Sequence, residues 1–124
     1  MHQLSVVIAQ KDHSAALRLA HAIGARCRHV AVVQSSIEIH DAILKGQAQA
    51  LIVDLDLISS EQLRSLCKEF RSTAVVATHN MLDEPMWKQC MDLGAADCFR
   101  PSDIEGMLRA ILQNVTLARA AHAA

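Results

Sequence analysis

Five short, mostly apolar runs alternate along the chain with longer segments of helical periodicity. Short apolar runs between helical segments are typical of strands buried on both faces of a parallel sheet. Such repeats join their strands by right-handed crossovers and place helices on both sheet faces. The sequence therefore predicts an α/β fold with a five-stranded, parallel, doubly wound sheet. The strands are predicted at Leu4 to Ala9, Val30 to Val33, Ala50 to Val53, Ala74 to Ala77 and Ala96 to Phe99.

The segments between these runs repeat apolar residues at the spacing of one helix face. Three of them begin with Ser followed three residues later by Glu or Gln, which is the signature of a capping box. The pairs are Ser35 with Glu38, Ser59 with Gln62, and Ser102 with Glu105. The fourth helix is expected to begin at 83–85 and to bury Trp87, Cys90 and Met91; exposure of part of this face to a partner is the alternative.

Composition limits the size and the class of the protein. A chain of 124 residues, 52% hydrophobic and 20% charged, is enough for one domain with its own core. We predict a single domain over residues 1–117 and a frayed tail over 118–124. The net charge is -1 and the basic residues are scattered, which argues against a nucleic-acid partner.

The sequence predicts a cytoplasmic protein without a membrane span. No apolar stretch approaches the roughly 20 residues that a spanning helix needs. The chain also begins without the pattern of a signal peptide. None of the four cysteines stands in CxxC spacing, so reduced core thiols are expected in preference to disulfides or a zinc site: Cys27, Cys67, Cys90 and Cys98.

Polar residues follow the predicted strands, at the sheet edge where doubly wound folds place their sites. Asp54 follows the third strand, Thr78 the fourth and Arg100 the fifth. A carboxylate, a hydroxyl and a cation together suit the acceptance of a phosphoryl group on the carboxylate. The four glycines are isolated, which excludes a P-loop and a dinucleotide fingerprint.

Three segments resemble the receiver domain of bacterial response regulators, and the resemblance covers nearly the whole chain. Ala-Leu-Ile-Val-Asp at 50–54 is similar to the strand that ends in the phosphoacceptor, and Val-Val-Ala-Thr at 75–78 to the strand that ends in Thr or Ser. Gly-Ala-Ala-Asp-Cys-Phe-Arg-Pro at 94–101 is similar to the Gly-Ala-x-Asp segment that leads to Lys-Pro.

The resemblance implies a flavodoxin-like sheet of order 2-1-3-4-5 and a signalling domain that is not an enzyme. A histidine kinase would transfer a phosphoryl group to Asp54, with Thr78 and Arg100 as its contacts. The fourth helix, fifth strand and fifth helix would form an output face for partner proteins or for a homodimer.

The end of the first strand departs from the family pattern. The family has two acidic residues there that help to hold Mg²⁺, whereas this chain has Gln10 and Lys11. Arg100 also replaces the family's Lys. One carboxylate beside two cations suits Mg²⁺ poorly, because this ion is held through carboxylate and phosphate oxygens. We therefore expect weak Mg²⁺ binding at most, through Asp54 and through Asp12 one position beyond the replaced pair.

Lys11 is expected to take the place of the metal and to pair with Asp54. At about 4 Å and an effective dielectric near 20, such a pair is worth roughly 4 kcal/mol before desolvation. The leading function is a stand-alone receiver domain in two-component phosphorelay signalling, with weak or absent Mg²⁺-dependent phosphorylation. The alternative is a pseudo-receiver that acts as a protein-protein interaction adaptor without phosphorylation.

Other interpretations remain open on the sequence alone. Asp56 is a second candidate phosphoacceptor. His13 and His79 could join Asp12 and Asp54 in a mixed metal site, although no HxH or HExxH spacing supports one. A metal-dependent or flavin-binding protein on the same architecture is a third class, because fold does not fix function. The family's switch aromatic falls at Cys98 or Phe99, because the interval to Pro101 is one residue short.

Overall fold

The computed structural model describes the backbone of residues 4–123 and the side chains of residues 4–115. Strands and helices alternate throughout this range. The strands are β1 Leu4–Ala9, β2 Cys27–Val33, β3 Ala50–Asp54, β4 Ala74–Thr78 and β5 Asp97–Phe99. The helices are α1 His13–Gly24, α2 Ser36–Gly46, α3 Ser60–Glu69, α4 Glu84–Asp92 and α5 Ile104–Ala123.

All five strands are parallel and lie in the order β2-β1-β3-β4-β5. This confirms the predicted fold class and the predicted strand order. The largest difference is at β2, which begins at Cys27 instead of Val30. The first residues of β2 are half-buried or exposed on an edge strand, so they lack the continuous apolar pattern from which the strand was predicted.

Each face of the sheet has its own apolar core, because successive residues of a strand point to opposite faces. The first core packs α1 and α5 against one face, and we call it the α1/α5 core; its strand residues include Val6, Ile8, Ile52 and Val76. The second packs α2, α3 and α4 against the other face, and we call it the α3/α4 core; its strand residues include Val7, Leu51, Val53, Ala77 and Cys98.

The helix starts agree with the sequence in part. At α3 the predicted capping box forms: Ser59 Oγ accepts the Gln62 N–H at 3.1 Å, and Gln62 Oε1 accepts the Ser59 N–H at 2.8 Å. At α2 the Ser35 hydroxyl donates to the Glu38 carboxylate at 2.8 Å and makes no cap bond to the backbone. The Glu38 carboxylate thus accepts the hydroxyl of Ser35, whereas in a capping box it would accept the backbone N–H of Ser35.

The start of α5 differs by one residue from the prediction. The carboxylate of Asp103 accepts the N–H of Gly106 at 3.0 Å, as an N-cap residue does three positions before its partner. Asp103 therefore takes the role that was predicted for Ser102. Helix α5 continues to Ala123, through most of the 118–124 segment for which a frayed tail is predicted, and Ala124 lies outside the described residues.

No helix between residues 4 and 123 combines the length and the apolar character that a membrane crossing requires.

Candidate functional site

The carboxyl ends of β1, β3 and β4 bring three polar residues together. These strands are neighbours, and their register pairs Ala9 with Val53 and Asp54 with Thr78. Gln10 follows Ala9 directly, so it lies beside Asp54 and Thr78 at the same sheet edge. Gln10 and Thr78 are fully buried, and Asp54 is half-buried at the mouth of the site.

Both carboxylate oxygens of Asp54 accept backbone N–H groups. The N–H of Asp56 donates to Oδ1 at 2.9 Å, and the N–H of Lys11 donates to Oδ2 at 3.3 Å. Hydrogen bonds to an ionised carboxylate are among the stronger ones in proteins. The charge of Asp54 is therefore stabilised by the protein's own main chain.

Thr78 is held by Gln10. The side-chain amide Nε2 of Gln10 donates to Thr78 Oγ1 at 3.1 Å, and this bond is fully buried. Breaking it would leave a buried polar group without a partner, at a cost of about 1–3 kcal/mol. The Thr78 oxygen thus accepts a hydrogen bond from the residue that stands in place of one of the family's acids.

The expected ion pair between Lys11 and Asp54 differs from what the structure contains. Lys11 contacts Asp54 through its main chain, and its side chain is exposed. Within the described side chains, the carboxylate contacts shorter than 4.0 Å are made by histidines and not by Lys or Arg. An unpaired ammonium at the surface keeps its hydration and its side-chain freedom. An ion pair at such an exposed position would therefore add little to the stability of the protein.

Arg100 likewise makes no short carboxylate contact among the described side chains. It is exposed after β5 and lines a cavity of about 470 Å³ with Arg18 of α1, at the start of α5. Its cation is therefore not available at the Asp54 carboxylate in this conformation.

The residues at this edge do not fit Mg²⁺, which requires oxygen ligands in near-octahedral geometry. Asp12 caps α1 by accepting the Ser14 N–H at 3.1 Å, Gln10 presents an amide donor to Thr78, and both Asp54 oxygens are bonded to N–H groups. Every buried side-chain nitrogen and oxygen among the described residues has a hydrogen-bond partner. No orphaned polar atom in this part of the chain marks the place of a cation.

A second contact joins the loops on either side of the site. His79 Nδ1 accepts the Met81 N–H at 3.0 Å, so the neutral ring carries its proton on Nε2, which lies 3.1 Å from Asp56 Oδ1. This bond ties the loop after β3 to the loop after β4. Asp56, the second candidate phosphoacceptor, is thus engaged by a histidine.

The mixed metal site proposed as an alternative is not assembled. No group of three or more His, Cys, Asp or Glu side chains suited to a metal occurs among the described residues. His79 is held by Asp56 and Met81, and Asp12 is held by the start of α1.

At the outer edge of the sheet, Trp87 lies on α4 with 41% of its surface exposed. Its indole Nε1–H donates to Asp97 Oδ1 on β5 at 3.0 Å. Of the three α4 residues predicted to face the core, Cys90 is buried and Met91 is half-buried, whereas Trp87 is partly exposed. Phe99 packs against the α1/α5 core, whereas Cys98 points into the α3/α4 core.

The sequence interpretation missed the role of Gln10. It was considered as a lost acid, yet it is a hydrogen-bond donor to Thr78. The available signal was its position directly after a mostly apolar strand, where a buried polar side chain needs a partner.

No protein-family model and no curated protein matches the sequence. Solved structures do resemble the fold. NtrX from Brucella abortus, in complex with ADP, superposes with a TM-score of 0.83 at 12% identity; the match covers 98% of this chain but 28% of that one.

Isolated receiver domains match along their whole length. The signal receiver domain of a putative Luxo repressor protein from Vibrio parahaemolyticus has a TM-score of 0.82 at 14% identity, covering 97% of this chain and 95% of that chain. The isolated REC domain of RcsB from Salmonella enterica serovar Typhimurium, in the presence of phosphomimetic BeF3-, has a TM-score of 0.78 at 15% identity, covering 94% and 99%. Together with the strand order, these likenesses establish that the chain has the receiver-domain fold of response regulators.

Proposed function

We propose that this protein is a pseudo-receiver, a receiver-fold module of two-component signalling that acts through protein contacts without Mg²⁺-dependent phosphorylation of Asp54. The observation that carries the proposal is the buried bond from Gln10 to Thr78 at 3.1 Å. This bond fixes a buried amide donor at position 10, where the family carries an acid that holds metal, so position 10 offers Mg²⁺ no carboxylate ligand.

The surroundings of Asp54 support the same conclusion. Two backbone N–H groups already donate to the carboxylate, one to each oxygen. A phosphoryl group added to either oxygen would displace at least one of these bonds. The bond between His79 and Asp56 further restrains the two loops that would have to adjust around it.

The face formed by α4, β5 and α5 is the proposed contact surface for a partner. Trp87 on α4 and Leu112 on α5 are 41% and 40% exposed, and large aromatic residues are enriched among the residues that dominate protein-protein binding energy. The partner is a histidine kinase or another signalling protein, and the same face would serve a homodimer. A cytoplasmic location is part of this proposal.

Incubation with acetyl phosphate and Mg²⁺, followed by intact mass spectrometry, tests the missing phosphorylation. We expect the wild-type mass to remain unchanged, as in the Asp54→Ala variant, because Gln10 and Lys11 stand in place of the acidic pair that holds the metal. A receiver domain with the full acidic set, treated in the same tube, provides the positive control. A phosphoryl adduct on the wild type that disappears in Asp54→Ala would refute the proposal.

A further inference from the structure

A cavity of about 470 Å³ lies where helix α1 meets the start of helix α5. Three separate parts of the chain form its wall: α1, the loop after β4, and the segment that runs from β5 into α5. Its volume falls in the range of about 300–1,000 Å³ that is typical of small-molecule sites. Neither Asp54 nor Thr78 lines it. We call it the α1/α5 cavity, and it is distinct from the site around Asp54.

Two arginines lie at the wall of the α1/α5 cavity. Arg18 belongs to α1 and Arg100 follows β5, and both are exposed to solvent. Neither comes within 4.0 Å of a carboxylate among the described side chains. No acidic residue of the described part of the chain lines the cavity either. The two positive charges therefore repel each other, and an anion that enters the cavity would relieve this repulsion.

The polar groups of the wall suit a phosphate. Asn80 and Ser102 also line the cavity, and their amide and hydroxyl groups are neutral hydrogen-bond donors. A guanidinium group presents a planar fork of donors that matches two oxygens of a phosphate or a carboxylate. A phosphate monoester carries a charge of about -1.5 to -2 at neutral pH, which balances two arginines. A carboxylate would balance only one of them.

The rest of the wall is apolar. It consists of Ala15 and Leu19 on α1 and of Pro101 and Ile104 at the start of α5. Leu19 is buried and the other three are half-buried. An apolar group that covers them would remove apolar surface from water, which favours binding. Inorganic phosphate would leave this surface in contact with water, so the wall suits a phosphate that is attached to an apolar body.

The start of α5 contributes less than the two arginines. The first residue of this helix lines the cavity, and the positive end of a helix dipole favours an anion. However, Asp103 already accepts the Gly106 N–H at 3.0 Å, and its negative charge opposes the dipole. We therefore assign the binding charge to Arg18 and Arg100.

We propose that the α1/α5 cavity binds the phosphate monoester of a small apolar molecule. Arg18 and Arg100 hold the phosphate, and Asn80 and Ser102 donate hydrogen bonds to it. The apolar body of the ligand packs on the half-buried residues of α1 and α5. Binding is reversible and involves no covalent step.

The site goes beyond the proposed function, because it takes a small molecule and uses neither Asp54 nor Thr78. Its ligand would join α1 to the segment between β5 and α5. Strand β5 and helix α5 also belong to the proposed contact surface for a partner. The ligand would therefore bind next to that surface.

Titration of the ¹⁵N-labelled chain with phenyl phosphate, without Mg²⁺ and at low salt, tests the proposal. We expect saturable shifts of the backbone signals of Arg18, Asn80 and Ser102, and calorimetry gives the dissociation constant. Inorganic phosphate lacks the apolar body and phenol lacks the charge. Each should therefore bind at least about tenfold more weakly than phenyl phosphate.

Single substitutions locate the site. Arg18→Gln and Arg100→Gln should each weaken phenyl phosphate binding about tenfold or more, because each removes charged hydrogen-bond donors. The matched control is Arg109→Gln, since Arg109 is an exposed arginine of α5 that does not line the cavity. It should bind as the wild type does, and so should Asp54→Ala. Circular dichroism verifies that each variant is folded.

Three results would overturn the proposal. The first is the absence of saturable binding by the folded wild type up to millimolar phenyl phosphate. The second is an equal loss of affinity in Arg109→Gln and Arg18→Gln, which would indicate attraction by net charge alone. The third is a loss of binding in Asp54→Ala, which would place the ligand at Asp54. A phosphoryl adduct formed with acetyl phosphate would instead refute the proposed function and leave the α1/α5 cavity as a binding site.

Discussion

Replacing Gln10 and Lys11 together by Asp is expected to give a protein that binds Mg²⁺ and forms a phosphoryl adduct on Asp54. The two substitutions remove the amide donor that engages Thr78 and the exposed cation next to Asp54. They add two carboxylates at the positions where receiver domains carry their acidic pair. Intact mass spectrometry with acetyl phosphate and Mg²⁺ reports the adduct.

The size of the effect follows from the change in charge. At an effective dielectric of about 20, one unit charge about 4 Å from another interacts with about 4 kcal/mol. Even after desolvation, we expect the Mg²⁺ affinity of the double variant to exceed that of the wild type at least about 100-fold, or about 3 kcal/mol. Isothermal titration calorimetry measures this difference.

The same variant should depend on Mg²⁺ for its stability. Position 10 is 2% exposed, so a carboxylate there without a cation is costly to bury. Without Mg²⁺, the double variant should unfold at a lower temperature than the wild type. Mg²⁺ at about 100 times its dissociation constant should raise the free energy of unfolding of the double variant by about 2.7 kcal/mol.

The matched control for the double variant is Lys11→Gln, which removes the cation without adding a carboxylate. It should acquire neither Mg²⁺ binding nor an adduct, because Gln10 remains and no carboxylate is added to hold the cation. If the control became phosphorylated as readily as the double variant, the Lys11 charge alone would be the obstacle and the role of Gln10 would be wrong.

The largest loss of stability is expected from Ile52→Ala. Ile52 is fully buried in β3, at the centre of the sheet, and its register partners are Ile8 on β1 and Val76 on β4. Truncation removes buried methyl groups and leaves a cavity in the α1/α5 core, between the sheet and its two helices. We expect a loss of about 2–5 kcal/mol in the free energy of unfolding, a large fraction of the about 5–15 kcal/mol typical of a domain.

Urea denaturation measures this loss as a lower midpoint with an unchanged slope. Ile37→Ala provides the control, because Ile37 lies on α2 with 88% of its surface exposed. Its change should remain within about 0.5 kcal/mol of zero. Equal losses for the two isoleucines would contradict the placement of Ile52 in the α1/α5 core.

The architecture was predictable because it depends on periodic apolar patterns. The run from Ala50 to Val53 is continuously apolar and became the central strand β3, with Asp54 as its last residue. The start of β2 was not predictable in the same way, since the exposed residues of an edge strand carry no strong pattern. The predicted capping box at α2 does not form, because the Glu38 carboxylate accepts the hydroxyl of Ser35 and not its backbone N–H, a choice that spacing alone does not reveal.

Asp54 and Thr78 were predictable as neighbours in the site, whereas the place of Arg100 and the contact made by Gln10 were not. The order of strands brings Asp54 and Thr78 side by side, as parallel topology requires. Which partner each side chain takes depends on distances of a few tenths of an ångström. No sequence pattern predicts that Asp54 contacts the main chain of Lys11 while the Lys11 ammonium remains in water.

An NMR titration of the ¹⁵N-labelled wild-type protein with Mg²⁺ tests the central claim most directly. The backbone N–H groups of Lys11 and Asp56 donate to Asp54, so their signals report any cation that reaches the carboxylate. We predict no saturable shift of either signal up to millimolar Mg²⁺. A saturable shift of both signals that is lost in Asp54→Ala would contradict the central claim, which is that Gln10, Thr78 and the main chain leave no Mg²⁺ site beside Asp54.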